Sequence, residues 1–214
     1  EDNESVSLEF NYLDRDYQAE IQCVSVEGFS ETEQLLEIPE EKEYFIAIHL
    51  QDVTELNRYI RANEEQRLVA GLVYIDNYEE VMESVEEVRQ SLLVALIDRK
   101  INQYIADFSG IVKKLEKDKY FVVIKKESFN RMEKDRFSLL DEVKGVSIGN
   151  QIPVTLSIGL GLSTDTYAAG YNYARIAIDL ALARGGDQAV VKTKDQITYY
   201  GGKTQQMEKN TRVK

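Results

Sequence analysis

The alternation of strand-like and helix-like patterns between residues 68 and 200 is the feature that most constrains this chain. Short apolar runs, such as residues 72–75 and 154–160, predict buried strands. Longer segments with apolar residues three or four positions apart predict helices between them. Read in order, the segment predicts β-α-β-β-α-β-α-β-β. An α+β sandwich with a central, mostly antiparallel sheet accommodates that order.

Three helices are predicted in this segment. The first extends to Phe108 and has an apolar face made of Val81, Val85, Val88, Leu92 and Leu96. The second is capped by Ser128 and has inward residues Phe129, Met132, Phe137, Leu140 and Val143. The third begins near Ala168 and ends at Gly185-Gly186, a pair typical of a left-handed helix C-cap.

Small residues line one face of the strand predicted before the third helix. Thr155, Ser157, Gly159 and Gly161 alternate with larger apolar residues. Because small side chains let a helix approach a sheet closely, we expect the Ala-rich helix at 174–183 to pack there.

The first 53 residues predict strands rather than helices. Tyr17–Val26 alternates roughly, and Tyr44–Leu50 is a short apolar run. Two or three strands are too few for an independent domain. Residues 54–67 then predict a connector helix, capped by Asp52 or Thr54, with a weak stripe formed by Leu56, Ile60, Asn63 and Arg67.

Charge and composition narrow the function classes. The chain has 26 Lys and Arg against 38 Asp and Glu, for a net charge of −12. Such a surface repels phosphate backbones and anionic lipid, so no nucleic-acid partner is expected. One Cys and one His exclude a Cys-based zinc site and a multi-histidine metal site. No stretch is long and apolar enough to predict a membrane span, so the chain is expected to be cytoplasmic.

The segment 68–202 resembles the GGDEF domains, the nucleotidyl cyclase fold that makes cyclic-di-GMP. The similarity lies in Tyr74-Ile75-Asp76-Asn77-Tyr78 at the place of Asp-x-Asp-x-Phe, in the hairpin 116–119 at the place of Gly-Gly-Asp-Glu, and in the segments 155–163 and 174–192.

The catalytic positions depart from the family's pattern. In this resemblance the first metal-binding Asp falls on Tyr74, the two glycines on Glu116 and Lys117, and the acidic ligand on Lys119. A cyclase needs carboxylates to hold metal ions against a triphosphate. Diguanylate cyclase activity is therefore not expected. The sequence Gly185-Gly186-Asp187 matches the first three residues of Gly-Gly-Asp-Glu but lies outside the hairpin. It is interpreted as the helix cap.

The amino-acid sequences of four segments indicate a more specific family within the GGDEF domains. IDNYEEV (75–81), SLLDEV (138–143), LALARGGDQAVVK (180–192) and YYGGKTQQMEKNTRVK (199–214) resemble the GdpP/YybT type of cyclic-di-AMP phosphodiesterase. That family implies PAS strands at 1–53, a signalling helix at 54–67, a degenerate GGDEF domain at 68–202 and a linker at 203–214 toward a DHH/DHHA1 phosphodiesterase domain absent from this chain.

The resemblance also implies the setting of the parent enzyme. Two upstream membrane helices would place it in the bacterial cell membrane, facing the cytoplasm, as a hydrolase of cyclic-di-AMP. This chain carries no DHH motif. Haem binds the PAS domain in the family but is not expected in this chain, because residues 1–53 are too few to close a PAS pocket.

Two functions follow as expectations. The first is signal relay to the phosphodiesterase through the connector helix, which could join two copies as a homodimer. The alternative is weak ATP binding or hydrolysis with Mg²⁺. Its candidate residues are Asp76, Asp118, Lys113, Lys114 and Lys117, with Asp76 as a weak metal ligand. Lys119 is expected to pair with Asp76. Solvated surface charge stays open as the other interpretation of these residues.

Overall fold

The computed structural model describes residues 5–25, 44–163 and 165–201, and the chain divides into two compact units, Glu1–Glu64 and Glu65–Lys214. The predicted linker at 203–214 lies outside the described residues.

The first unit contains a three-stranded antiparallel sheet in the order β1-β2-β3. Its strands are β1 (Ser5–Tyr12), β2 (Arg15–Ser25) and β3 (Tyr44–Asp52). Leu8, Ala19 and Leu50 lie side by side across the sheet on its apolar face. Ala19 is buried, whereas Leu8 and Leu50 are exposed.

Helix α1 (Thr54–Gln66) follows β3 after a single residue. It ends one residue before the predicted end, because Arg67 lies outside it. The guanidinium of Arg67 donates from Nη2 to the Ser163 carbonyl oxygen at 3.0 Å. The predicted stripe therefore has no fourth helical member. The part of α1 that the structure describes has no buried residue.

The second unit is built on a six-stranded sheet in the order β5-β6-β4-β7-β8-β9. The strands are β4 (Leu68–Ile75), β5 (Ile111–Lys114), β6 (Lys119–Lys125), β7 (Leu156–Gly161), β8 (Gln188–Lys192) and β9 (Ile197–Gly201). The helices are α2 (Tyr78–Glu83), α3 (Glu87–Asp107), α4 (Lys126–Lys134), α5 (Leu139–Lys144) and α6 (Tyr167–Ala183). Neighbouring strands are antiparallel except β7 and β8, which are parallel. The predicted α+β sandwich with a mostly antiparallel sheet is confirmed.

The first predicted helix is two helices, and its predicted face is partly wrong. Val88 is 92% exposed, although the sequence periodicity placed it inward. The chain leaves the helix after Glu83, and the side-chain amide of Gln90 donates to the carbonyl oxygens of Met82 and Val85 there. Because the second helix restarts at Glu87, its buried face is shifted in phase to Leu93, Ile97, Ile101, Tyr104 and Ile105.

The second predicted helix is also interrupted. Arg136 and Phe137 have positive φ values of 55° and 57°, which end α4 and reverse the chain before α5. The Asp135 carboxylate holds this turn by accepting the Ser138 amide at 3.1 Å. Ser128, the predicted cap, is instead a buried residue within α4.

Helix α6 lies very close to strand β7, as the small-residue pattern predicted. A Cβ added to Gly161 would lie 1.9 Å from the Gly170 carbonyl oxygen, and one added to Gly159 would lie 2.4 Å from the Ile178 amide nitrogen. Both obstacles are backbone atoms. The third helix is thus confirmed, and its backbone rests on the backbone of the sheet.

We predict that Gly161→Ala destabilises the second unit by about 3 kcal/mol, because overpacking against backbone has no side chain to yield. Gly170→Ala is the matched control. Its added Cβ would meet nothing closer than 3.4 Å, and replacing a helix-interior glycine by alanine gains about 1 kcal/mol. Urea unfolding should therefore move in opposite directions for the two variants. Equal shifts would contradict the described packing.

Candidate functional site

Tyr74 and Lys119 are directly opposite one another at the end of β4 and the start of β6. Cross-strand partners project to the same face of a sheet. The ammonium nitrogen of Lys119 lies 5.6 Å from the centre of the Tyr74 ring, a cation–π contact. Tyr74 and Lys119 are the two positions that the resemblance assigned to metal-binding carboxylates. They are therefore neighbours in the sheet, with an aromatic ring and a cation where two carboxylates would be needed.

Lys119 does not pair with Asp76, so that expectation is wrong. Its ammonium contacts Glu116 Oε2 at 2.8 Å, three residues earlier in the hairpin. This hydrogen bond raises the pKa of Lys119 above its ordinary value. The cation is held by the hairpin itself.

Two other hairpin lysines are also bound to carboxylates. Lys114 contacts Asp98 on α3 at 2.8 Å, and the Tyr120 hydroxyl donates to the same carboxylate. Lys117 pairs with Glu79 on α2, and that hydrogen bond raises the pKa of Lys117. Both cations are therefore neutralised by carboxylates of the same domain.

Lys113 and Asp118 are separated from that cluster in different ways. Lys113 lies opposite Phe121, so it projects to the other face of the sheet from its neighbour Lys114. Asp118 adjoins the end of β4, because its carbonyl oxygen accepts the Ile75 amide at 2.9 Å. The five sequence-predicted residues thus do not converge on one point. The sequence did not identify Glu79 and Asp98 as partners of these lysines. A charged residue in a predicted helix does not indicate which strand the helix will contact.

Asp76 is the first residue after β4 and lies against the turn that ends α6. Its Oδ2 accepts the Asp187 amide at 2.8 Å. A Cβ on Gly186 would come within 2.6 Å of the same carboxylate, so glycine is required there. The Gly185-Gly186-Asp187 turn has positive φ at all three residues, and the Gly186 amide donates back to Ala181, as the predicted helix cap requires.

The surroundings of Asp76 are short of positive charge. Its Oδ1 is buried and has no well-aligned hydrogen-bond donor among the residues that the structure describes. Burial raises the pKa of the Asp76 carboxyl, although the Ser157 hydroxyl and the Asp187 amide oppose the shift. Lys144 is 2.7 Å from Oδ1 of Asp187, so it pairs with that neighbouring carboxylate. Within the ranges 5–25, 44–163 and 165–201, no three His, Cys, Asp or Glu residues group as a metal site.

The family is settled by a match over residues 73–199, more than half of the chain, to the model described as "Cyclic-di-AMP phosphodiesterase GdpP-like, GGDEF domain". The chain belongs to this GdpP-like GGDEF family. The matched residues run from β4 to β9, so they include the Tyr74–Lys119 position, the hairpin and the Asp76 turn.

Curated relatives agree with the family match. The chain is 35% identical over 164 residues to cyclic-di-AMP phosphodiesterase GdpP of Geobacillus thermodenitrificans, covering 76% of this chain and 25% of that protein. It is 33% identical over 171 residues to cyclic-di-AMP phosphodiesterase PdeA of Listeria monocytogenes, covering 78% of this chain and 26% of that protein. The chain therefore spans about a quarter of the length of these relatives.

Solved structures support the GGDEF fold. The active GGEEF domain of a diguanylate cyclase from Vibrio cholerae matches with a TM-score of 0.50 and 13% identity, covering 64% of this chain and 88% of that chain. The GGDEF domain of DgcB from Caulobacter crescentus, in complex with c-di-GMP, matches with a TM-score of 0.51 and 12% identity, covering 64% and 83%. Among the helices described for this GdpP-like chain, none has the length and apolar character needed to cross a membrane.

We predict that Asp76→Asn does not destabilise the domain at neutral pH. A carboxyl whose pKa is raised in the folded state contributes stability below its unfolded pKa and loses it as pH rises through the folded pKa. The free energy of unfolding of Asp76→Asn relative to wild type should therefore increase as pH rises from about 4. Thermal unfolding from pH 4 to pH 8 measures this difference.

Asp195→Asn, in the exposed turn between β8 and β9, is the control with the same charge change. It makes the same change in net charge outside the Asp76 turn, so a pH-dependent gain seen only in Asp76→Asn belongs to that turn. A loss of stability in Asp76→Asn that grows with pH would mean that the ionised carboxylate is stabilised by a cation.

Proposed function

We propose that this chain is the signal-relay region of a membrane-anchored cyclic-di-AMP phosphodiesterase, and that its GGDEF domain makes no cyclic-di-GMP. The observation that carries the second part is the Tyr74–Lys119 pair. A ring and an ammonium group stand where two carboxylates would be needed to bind a metal ion. The activity that the relatives are named for, cyclic-di-AMP hydrolysis, would belong to the phosphodiesterase domain of the parent enzyme.

The start of α1 supports the relay because it is fixed to the sheet before it. The Thr54 amide and hydroxyl donate to Oδ1 of Asp52 at 3.0 and 2.6 Å. Asp16 on β2 accepts Asn57 at 3.2 Å and Arg61 at 3.2 Å. Hydrogen bonds from Asn11 and Asn57, together with Arg61, lower the pKa of Asp16, so it stays ionised at neutral pH. The first two turns of the helix should therefore follow any movement of β2.

The end of α1 supports the relay for a different reason. A single residue, Arg67, separates the helix from β4, the strand that continues to Tyr74. The Arg67 carbonyl oxygen accepts the Lys126 amide at 2.8 Å. Because one residue joins α1 to β4, we expect a rotation of the helix to reach β4.

The exposed stripe on α1 supports self-association as part of this function. Leu56, Tyr59 and Ile60 are 56, 72 and 48% exposed. Apolar residues at this helical spacing suit contact with the same helix of a second copy. We therefore propose a homodimer that passes its change of register to the phosphodiesterase domain.

We predict that Leu56→Gln/Ile60→Gln weakens self-association at least ten-fold and changes the regulation of cyclic-di-AMP hydrolysis in the full-length enzyme. Both side chains are exposed, so the fold should survive, as far-UV circular dichroism would check. Sedimentation equilibrium of the chain and hydrolysis assays of the full-length enzyme are the measurements. Glu64→Gln/Glu65→Gln, polar changes on the same helix, should leave both properties as in wild type. Unchanged association and regulation in the leucine–isoleucine variant would refute the proposal.

Weak Mg²⁺-dependent ATP binding and hydrolysis stays the alternative proposal. It is supported by the hairpin's position beside the end of β4, where Asp118 and Asp76 both lie near the strand end. Of the three candidate lysines, Lys114 and Lys117 are neutralised by Asp98 and Glu79, so a triphosphate would have to displace these carboxylates. Exposed ion pairs contribute little stability, so displacement is feasible.

If ATP hydrolysis depends on this site, Asp76→Ala should lower Mg²⁺-dependent phosphate release at least ten-fold, because the metal ligand is lost. Phosphate release from ATP by the purified chain is the measurement, and Asp195→Ala should match wild type. Equal rates in wild type and Asp76→Ala would exclude the alternative and leave the relay proposal untouched.

A further inference from the structure

An apolar groove runs along the face of the central sheet that carries α6. The helix packs on β7, β4 and β8. Beside it lies a cavity of about 180 Å³, here named the β6 groove. Its floor is formed by Leu68, Phe121 and Val123, and its wall by Tyr167, Gly170 and Tyr171.

The groove exposes apolar surface that the fold does not use. Leu68 is 48% exposed and Tyr167 is 69% exposed. Ile111, which lies opposite Val123 on the edge strand β5, is 71% exposed and continues the floor outward. Contiguous apolar surface of this kind marks interaction sites in soluble proteins.

Two lysines stand at the ends of this floor. Lys113 lies opposite Phe121, and Lys125 lies opposite Leu68. Unlike Lys114, Lys117 and Lys119, neither forms an ion pair with a carboxylate in the part of the chain that the structure describes. The groove therefore combines an apolar floor with two cations available to an incoming anionic group.

We propose that the β6 groove binds an acidic amphipathic helix of a partner protein. Strand β6 has seven residues, a length of about 20 Å, which matches a helix of about 13 residues. Because Lys113 lies opposite Phe121, the spacing of the two lysines along the strands equals that of Phe121 and Lys125, which is four residues or about 13 Å. Carboxylates two helical turns apart are separated by about 11 Å. Flexible lysine side chains close that difference, so one helix can place leucines on the floor and a carboxylate at each end.

The net charge of −12 does not prevent this contact. Charges more than about 8 Å apart are largely screened at physiological ionic strength, so the two lysines decide the interaction at contact range. An extended nucleic acid or an anionic membrane would meet the whole acidic surface instead. The proposal is independent of the relay through α1.

The test is fluorescence anisotropy of the intact chain with a fluorescein-labelled, 14-residue synthetic helix. The peptide has leucines at helical spacing and glutamates two turns apart along one edge. Saturable binding in the micromolar range is expected, and Lys113→Glu/Lys125→Glu should weaken it at least ten-fold. Replacing the peptide's two glutamates by glutamine should weaken binding to wild type by a similar factor.

Lys134→Glu/Lys194→Glu is the matched control, since it makes the same change in net charge with lysines that lie on α4 and in the turn after β8, outside the strands β5 and β6. It should bind as wild type does. Val123→Asp should abolish binding, with urea unfolding checking that the fold persists. Absence of binding, equal binding by the Lys113/Lys125 variant, or equal binding of the glutamine peptide would each overturn the proposal.

Discussion

The close contact between the backbones of α6 and β7 fixes the position of α6 on the central sheet. Gly159 and Gly161 remove the side chains that would separate the two elements, and the obstacles that a Cβ would meet are backbone atoms. A helix held at this distance cannot slide along the strand without a steric clash. Its two ends are therefore fixed: the last turn lies over Asp76, and the first turn lies beside β6.

The hairpin shows a second constraint, which is electrostatic. An active cyclase hairpin has to receive a triphosphate and metal ions, and so it leaves charge unsatisfied until the ligand arrives. Here Lys114, Lys117 and Lys119 each contact a carboxylate of the domain itself. Each of these three charges is therefore balanced by a carboxylate of the same domain.

The sequence was sufficient for features that depend on local pattern. The order of elements, the mostly antiparallel sheet, the small-residue face of β7 and the cap at Gly185-Gly186 all follow from periodicity and from the conformational freedom of glycine. The family resemblance assigned Tyr74 and Lys119 to two metal-ligand positions, and the strand register puts these residues opposite one another.

Features that depend on tertiary contacts were not predictable in the same way. The break before Glu87 is stabilised by Gln90, whose amide donates to carbonyl oxygens of the preceding turn, and no helical period signals that contact. Lys119 was expected to pair with Asp76. Glu116 is only three residues away in the hairpin, and Lys119 forms its ion pair with Glu116 instead. Glu79 and Asp98 could be identified as partners only once the hairpin was placed against α2 and α3.

The turn over Asp76 has a consequence for how this family can diverge. Any side chain at position 186 would meet the carboxylate of Asp76 and would also have to adopt a φ of +72°. Asp76 and Gly186 are far apart along the chain, yet the side chain at position 76 decides how much room position 186 has. Covariation between these two positions would then record a steric contact of the fold, and would carry no information about the reaction that the parent enzyme catalyses.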